Sequence, residues 1–142
     1  MGDIIAISEL AVKVYTAYKD APDDYKHISE EVEALQVLIN GAEQYFKSTT
    51  LSSIDLQNGQ KVLKGCKSVL EDLDSLIENY KSLVSTNKRQ VFKRDRLGIA
   101  HIANLRARLT SNATLLSSFI RRFVISTNYY YLVLYTNDIS LP

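Results

Sequence analysis

Cys66 is the only cysteine among 142 residues, and a thiolate is the strongest nucleophile a side chain offers. Alone it closes no intramolecular disulfide and completes no zinc site. It stands four residues after Val62 and three before Val69, inside a helical apolar stripe, which predicts a buried, inert thiol. His27 and His101 are far apart in the chain and do not form the i, i+4 pair that holds a metal on a helix. Asp20, Asp23 and Asp24 cluster as calcium ligands do, but the glycine and distal glutamate of a calcium loop are missing. With Pro22 they suit the first turn of a helix, where carboxylates meet the positive end of the helix dipole. There is no glycine-rich phosphate loop with its Lys and Ser or Thr, and no Gly-x-Ser-x-Gly elbow. Asn112-Ala113-Thr114 spells a glycosylation acceptor but falls within a helical stripe, and Gly2 lacks the Ser or Thr at position 6 that myristoylation favours. The expectation is a non-enzyme with no catalytic residues, no cofactor, no metal and no small-molecule substrate. An enzyme or ligand carrier using a cavity between helices is the competing class, and it would need a deep polar pocket containing His27 or His101 with carboxylate neighbours.

Charge is more informative. Lys and Arg number 17 and Asp and Glu 16, a net charge of +1, which excludes a globally basic nucleic-acid binder or an acidic tail protein. The charges are nonetheless polarised along the chain. Residues 20–33 carry six carboxylates against the single Lys26, and residues 88–108 carry seven basic side chains against the single Asp95. The basic set is Lys88, Arg89, Lys93, Arg94, Arg96, Arg106 and Arg108. Two readings stand: the opposite patches pair on an ordinary solvated surface, or the basic patch meets anionic head groups or an acidic face of another copy. Val91 and Phe92 interrupt the basic run, and the other aromatics fall mostly on core stripes, so nucleic acid is not an expected partner.

The elements that must position these residues are helices. Gly and Pro number only 5 and 2, so the chain has few breaks. Ile4, Ile7, Ala11, Val14 and Tyr18 alternate steps of three and four, the spacing of one helical face, with Ile5, Leu10, Val12 and Tyr15 widening it. Ile28, Val32, Leu35, Ile39, Ala42 and Phe46 repeat the pattern, with Glu30, Glu33 and Gln44 opposite. Ser52 with Asp55 resembles a capping box ahead of a third helix near Ser53. That helix carries Val62, Cys66, Val69, Leu73, Leu76, Tyr80 and Leu83, flanked by Leu63, Leu70, Ile77 and Val84. Asn58-Gly59 leaves open whether a short leading turn splits off, since interior glycine costs about 1 kcal/mol against alanine. The fourth stripe is Ile102, Leu105, Leu109, Asn112, Leu116, Phe119 and Phe123. Either Asn112 sits on the seam and fixes register, or the seam rotates to Ala113. No segment reaches the roughly 18 continuous apolar residues of a membrane span. Four such stripes bury best against one another, which predicts an all-α, antiparallel four-helix bundle over residues 3–126.

Residues 127–142 form a separate C-terminal tail, predicted irregular or extended. Tyr129, Tyr130, Tyr131 and Tyr135, with Leu132, Val133 and Leu134 among them, make an uncharged run of strong β preference. It docks on the bundle, acts as an interaction or self-pairing segment, or has no selected role.

The order of features resembles a known family. An almost wholly apolar first helix, Tyr-Lys-Asp-Ala-Pro at residues 18–22, Glu-Val-Glu-Ala-Leu-x-x-Leu at residues 31–38, and a basic connector before Ile-Ala-Asn-Leu-Arg-Ala-Arg-Leu at residues 102–109 are similar to fungal N-terminal helical domains. These are the HeLo, HeLo-like and SesA group at the front of fungal NOD-like (STAND) receptors, and the resemblance covers roughly residues 3–123. It implies signalling by oligomerisation and, in some members, membrane disruption leading to regulated cell death in heterokaryon incompatibility or defence. Val91 and Phe92 stand where many relatives carry tryptophan, and no P-loop follows, so the chain is expected to be an excised or stand-alone domain, or one whose Tyr-rich tail replaces the usual partner segment.

The resulting expectation is a non-enzymatic signalling and oligomerisation bundle, either membrane-targeting or a protein–protein adaptor without membrane activity. Its partners would be further copies of itself or a helical partner domain, with an anionic membrane in the first version. The lone cysteine and the lack of a leader-like start predict a cytoplasmic setting, with recruitment to the plasma membrane on activation in the membrane version. Ile4, Ile5, Ile7, Leu10 and Val14 are the candidate membrane or self-association surface of the first helix.

Overall fold

The structure is a computed structural model and describes residues 2–21, 23–48, 51–85 and 101–122. These residues form an all-α bundle of α1 (Gly2–Lys19), α2 (Asp23–Ser48), α3 (Ser53–Ser85) and α4 (residues 101–122). No strand occurs among the described residues. The basic connector from residue 88 to 96 and the Tyr-rich tail lie outside them.

The stripes close largely as their spacing predicts, with Phe46 and Phe119 half-buried and Leu83, Val84 and Phe123 outside the described side chains. Ile4, Ile7, Ala11, Val14 and Tyr18 are all buried, as are Ile28, Val32, Leu35, Ile39 and Ala42. In α3 the buried set runs from Leu63 through Cys66, Val69, Leu70, Leu73, Leu76 and Ile77 to Tyr80, while Val62 is half-buried. Leu105, Leu109 and Leu116 supply α4, flanked by Ile102, Ala113 and Ile120, and all of these belong to one core. A fully buried Leu or Ile stabilises by about 1.5–3 kcal/mol relative to exposure. Mutual burial, more than helix propensity, therefore holds the helices.

Local chemistry sets the helix ends. Ser52 caps α3: its Oγ accepts a hydrogen bond from the Asp55 N–H at 3.2 Å, and its hydroxyl donates to the Asp55 carboxylate at 2.9 Å. Between α1 and α2, the Ala21 N–H donates to the Tyr18 carbonyl at 3.1 Å and turns the chain after one short link.

α3 runs unbroken through Asn58 and Gly59. Gly59 is a packing residue, because a Cβ there would lie 2.8 Å from the Phe119 ring and 2.9 Å from the Phe46 ring. Those rings pack with centroids 6.0 Å apart, so the missing side chain lets an aromatic pair from α2 and α4 rest on the α3 backbone. Towards the other end, Tyr25 of α2 packs on Tyr80 of α3 at 5.2 Å and on Tyr18 of α1 at 6.3 Å.

The four helices occupy corners. α1 packs against both α2 and α3, whose backbones do not approach one another. α4 is tied to α2 by Arg106–Glu31 and to α3 by Arg108–Asp72. α2 and α3 thus stand at opposite corners and meet across the core through Tyr25 on Tyr80 and Phe46 over Gly59.

Candidate functional site

The residues able to do chemistry do not converge. Cys66 is fully buried, and burial pushes its thiol up to about 11. His27 is exposed on α2 with a Glu30 carboxylate oxygen 4.0 Å away, and His101 is exposed at the start of α4. Among the described residues no group of three or more His, Cys, Asp or Glu side chains could hold a metal ion. An open groove of about 440 Å3 runs between α2 and α4, lined by small and hydroxyl side chains including Ala34, Thr110, Ala113 and Ser117, with Glu31 and Arg121. Neither histidine nor Cys66 lines it.

The candidate residues of α1 divide between core and surface. Ile4, Ile7 and Val14 are buried, Leu10 is half-buried against the core, and Ile5 is 49% exposed. α1 is also tied to α3 by polar contacts: the Tyr18 hydroxyl donates to the Leu73 carbonyl at 2.6 Å, and Lys13 pairs with Asp74 at 3.1 Å. The second Asp74 oxygen is buried and has no hydrogen-bond partner among the described residues. Desolvation, and secondarily the neighbouring Tyr25 and Asp74, push the Tyr18 phenol well above its ordinary value.

Of the basic patch, only Arg106 and Arg108 fall in the described residues, and both are engaged within the chain. Arg106 grips the Glu31 carboxylate through Nη2 at 2.6 Å and Nε at 3.1 Å, and these bonds raise its pKa further. Arg108 reaches Asp72 at 2.6 Å and the Ser68 hydroxyl at 3.1 Å. Glu31 belongs to the acidic run and Arg106 to the basic one, so at this point the two patches pair within the monomer. Lys88, Arg89, Lys93, Arg94 and Arg96 lie outside the described residues, as do Tyr129, Tyr130, Tyr131 and Tyr135.

Asn112 and Ala113 are both half-buried, Ala113 against the core and Asn112 over Gly65 of α3, so α4 turns both positions inward and the structure selects neither sequence reading alone. The Asn112 amide nitrogen donates to the Arg108 carbonyl at 2.8 Å. Its oxygen occupies the space a Gly65 Cβ would need, so a second glycine of α3 makes room for a side chain of α4.

What faces outward is patterned too. On α2, Glu30, Glu33 and Val37 are exposed, with Val37 at 66%. On α3, Ile54, Lys61 and Lys64 are exposed, with Ile54 at 67%. The α3 set escapes a search for charge runs because its lysines are interleaved with core residues; a helical projection of the polar face brings them together. Among the described residues no helix is long and apolar enough to cross a membrane. Comparison with family models, with curated proteins and with solved structures finds no match to this chain.

Proposed function

We propose that the chain is a non-enzymatic interaction module, an antiparallel four-helix bundle that signals by assembling with other helical domains, in the manner of the fungal N-terminal domains that its motifs resemble. Tyr25 against Tyr80 near one end, Phe46 beside Gly59 at the other, and Arg108 on Asp72 with Phe119 over Gly59 support opposed directions for α2 and α3 and for α3 and α4. The family assignment rests on the motifs at residues 18–22, 31–38 and 102–109.

The observation that carries the reading is the division of charge between pairs that bridge helices and outward faces left unpaired. The pairs Arg106–Glu31, Arg108–Asp72 and Lys13–Asp74 bridge helices at the surface of the monomer, while Glu33, Lys61 and Lys64 make no ion pair among the described residues. Solvent-facing charge of both signs on different helices suits salt-sensitive association with a complementary surface.

The burial of Ile4, Ile7 and Val14 favours assembly without membrane insertion for the folded monomer, because inserting α1 would require removing it from the core. Sedimentation velocity at low and high salt, run beside leakage of anionic and neutral liposomes, tests the reading. Association that weakens with salt, without leakage, is the expected result. Leakage from anionic liposomes by the folded protein would place the membrane version first, and a salt-independent monomer that engages no helical partner would remove the interaction reading.

A further inference from the structure

We propose that copies of this protein assemble head to tail, the outer face of α2 in one copy meeting the outer face of α3 in the next. The proposal rests on the interaction reading above and names its partner, a second copy of the same chain. Val37 and Ile54 are the two most exposed large apolar side chains among the described residues, and each lies on a stripe with two like charges. On α2 the contact stretch is Glu30, Glu33 and Val37, with Lys26 one turn beyond it; on α3 it is Ile54, Lys61 and Lys64, with Glu71 two turns beyond it. The signs are opposite.

The spacing matches as well. Glu30 and Glu33 are three residues apart, and so are Lys61 and Lys64, about 4.5 Å along each axis. With the two helices running in opposite directions, Glu30 falls level with Lys64 and Glu33 level with Lys61. Val37 then falls level with Gln57, one turn short of Ile54, so the apolar side chains close the same end of the contact. Two charge pairs and one apolar contact fix both register and direction.

A second copy is the occupant because both complementary faces belong to one chain and stand at opposite corners of the bundle, α2 and α3 having no backbone approach. One copy can therefore hold two neighbours at once. The contact is heterologous, which builds a ring if the rotation closes and a filament if it does not. A net charge of +1 leaves little general repulsion between copies.

Charge reversal tests this on the full chain by sedimentation velocity, with circular dichroism to verify folding. K61E/K64E makes both faces acidic and E30K/E33K makes both basic; every position changed is exposed. Each variant alone should associate at least tenfold more weakly than the unaltered protein, and an equimolar mixture should recover association by alternating the two. E9K/D20K, which shifts net charge as E30K/E33K does but at exposed positions on neither α2 nor α3, should stay within about twofold of the unaltered protein and should not associate with K61E/K64E more tightly than E30K/E33K does. Association that persists unchanged in both variants, or a mixture that stays apart, overturns this pairing while leaving the interaction reading in place. An unaltered protein that remains monomeric at every salt and concentration overturns both.

Discussion

The Tyr18 hydroxyl of α1 donates a 2.6 Å hydrogen bond to the Leu73 carbonyl of α3, a main-chain group inside a continuous helix. The first helix is thus held by a directed bond as well as by its apolar stripe. Tyr18→Phe keeps the ring contact with Tyr25 and removes only the hydroxyl. Since Leu73 stays within its helix, the loss should be that of one buried hydrogen bond, about 1 kcal/mol, measured as a lower urea midpoint at unchanged slope.

Alkaline pH should destabilise the fold through two buried acids. Burial raises Cys66 from an ordinary 9.0 to about 11 and moves Tyr18 upward from its ordinary 10.0. Above pH 9 the unfolded chain releases these protons while the folded chain keeps them, so the unfolded state binds fewer protons and stability falls as pH rises. Their full contribution is present below about pH 9; it is lost for Cys66 by about pH 11, with Tyr18 extending the decline. Urea midpoints followed across this range should fall in the natural protein and fall less in the Tyr18→Phe, Cys66→Ala double variant.

Two isoleucines two residues apart on α1 should respond oppositely to charge. Ile7 is 2% exposed and Ile5 is 49% exposed. Ile7→Glu buries an unpaired carboxylate and should cost at least about 3 kcal/mol or unfold the protein; Ile5→Glu should stay within about 1 kcal/mol. Circular dichroism melts distinguish the two, and equal tolerance at both positions would mean that α1 is not a core helix.

Gly65 and Asn112 should be coupled. Gly65→Ala alone drives a Cβ against the Asn112 oxygen and displaces an amide held on the Arg108 carbonyl, so it should destabilise despite the gain in helix propensity. In an Asn112→Ala background the obstruction is gone, and the same substitution should stabilise by about 1 kcal/mol. A change of sign across this double-mutant cycle is the outcome to look for.

The helical stripes were legible because burial of one face imposes its period on the sequence; the α1 stripe from Ile4 to Tyr18 reappears residue for residue in the core. The glycines of α3 were not, since in a sequence Gly59 is a possible break and only the rings of Phe46 and Phe119, distant in the chain, reveal it as a contact surface. Asn112 was legible only as a choice between two seams, which depends on how α4 is rotated. Of the two readings of the charge runs, Glu31 and Arg106 follow the pairing one at a single point, and Lys88 to Arg96 lie outside the described residues. The outer stripe of Lys61 and Lys64 was hidden because its members alternate with core positions, and no local composition marks it.

The most direct test of an assembling bundle is a concentration series of the full chain by sedimentation velocity in low and in high salt. A weight-average mass that rises with concentration in low salt and collapses towards 16.1 kDa in high salt is the result predicted here. A mass fixed at that of one chain under every condition would contradict the account.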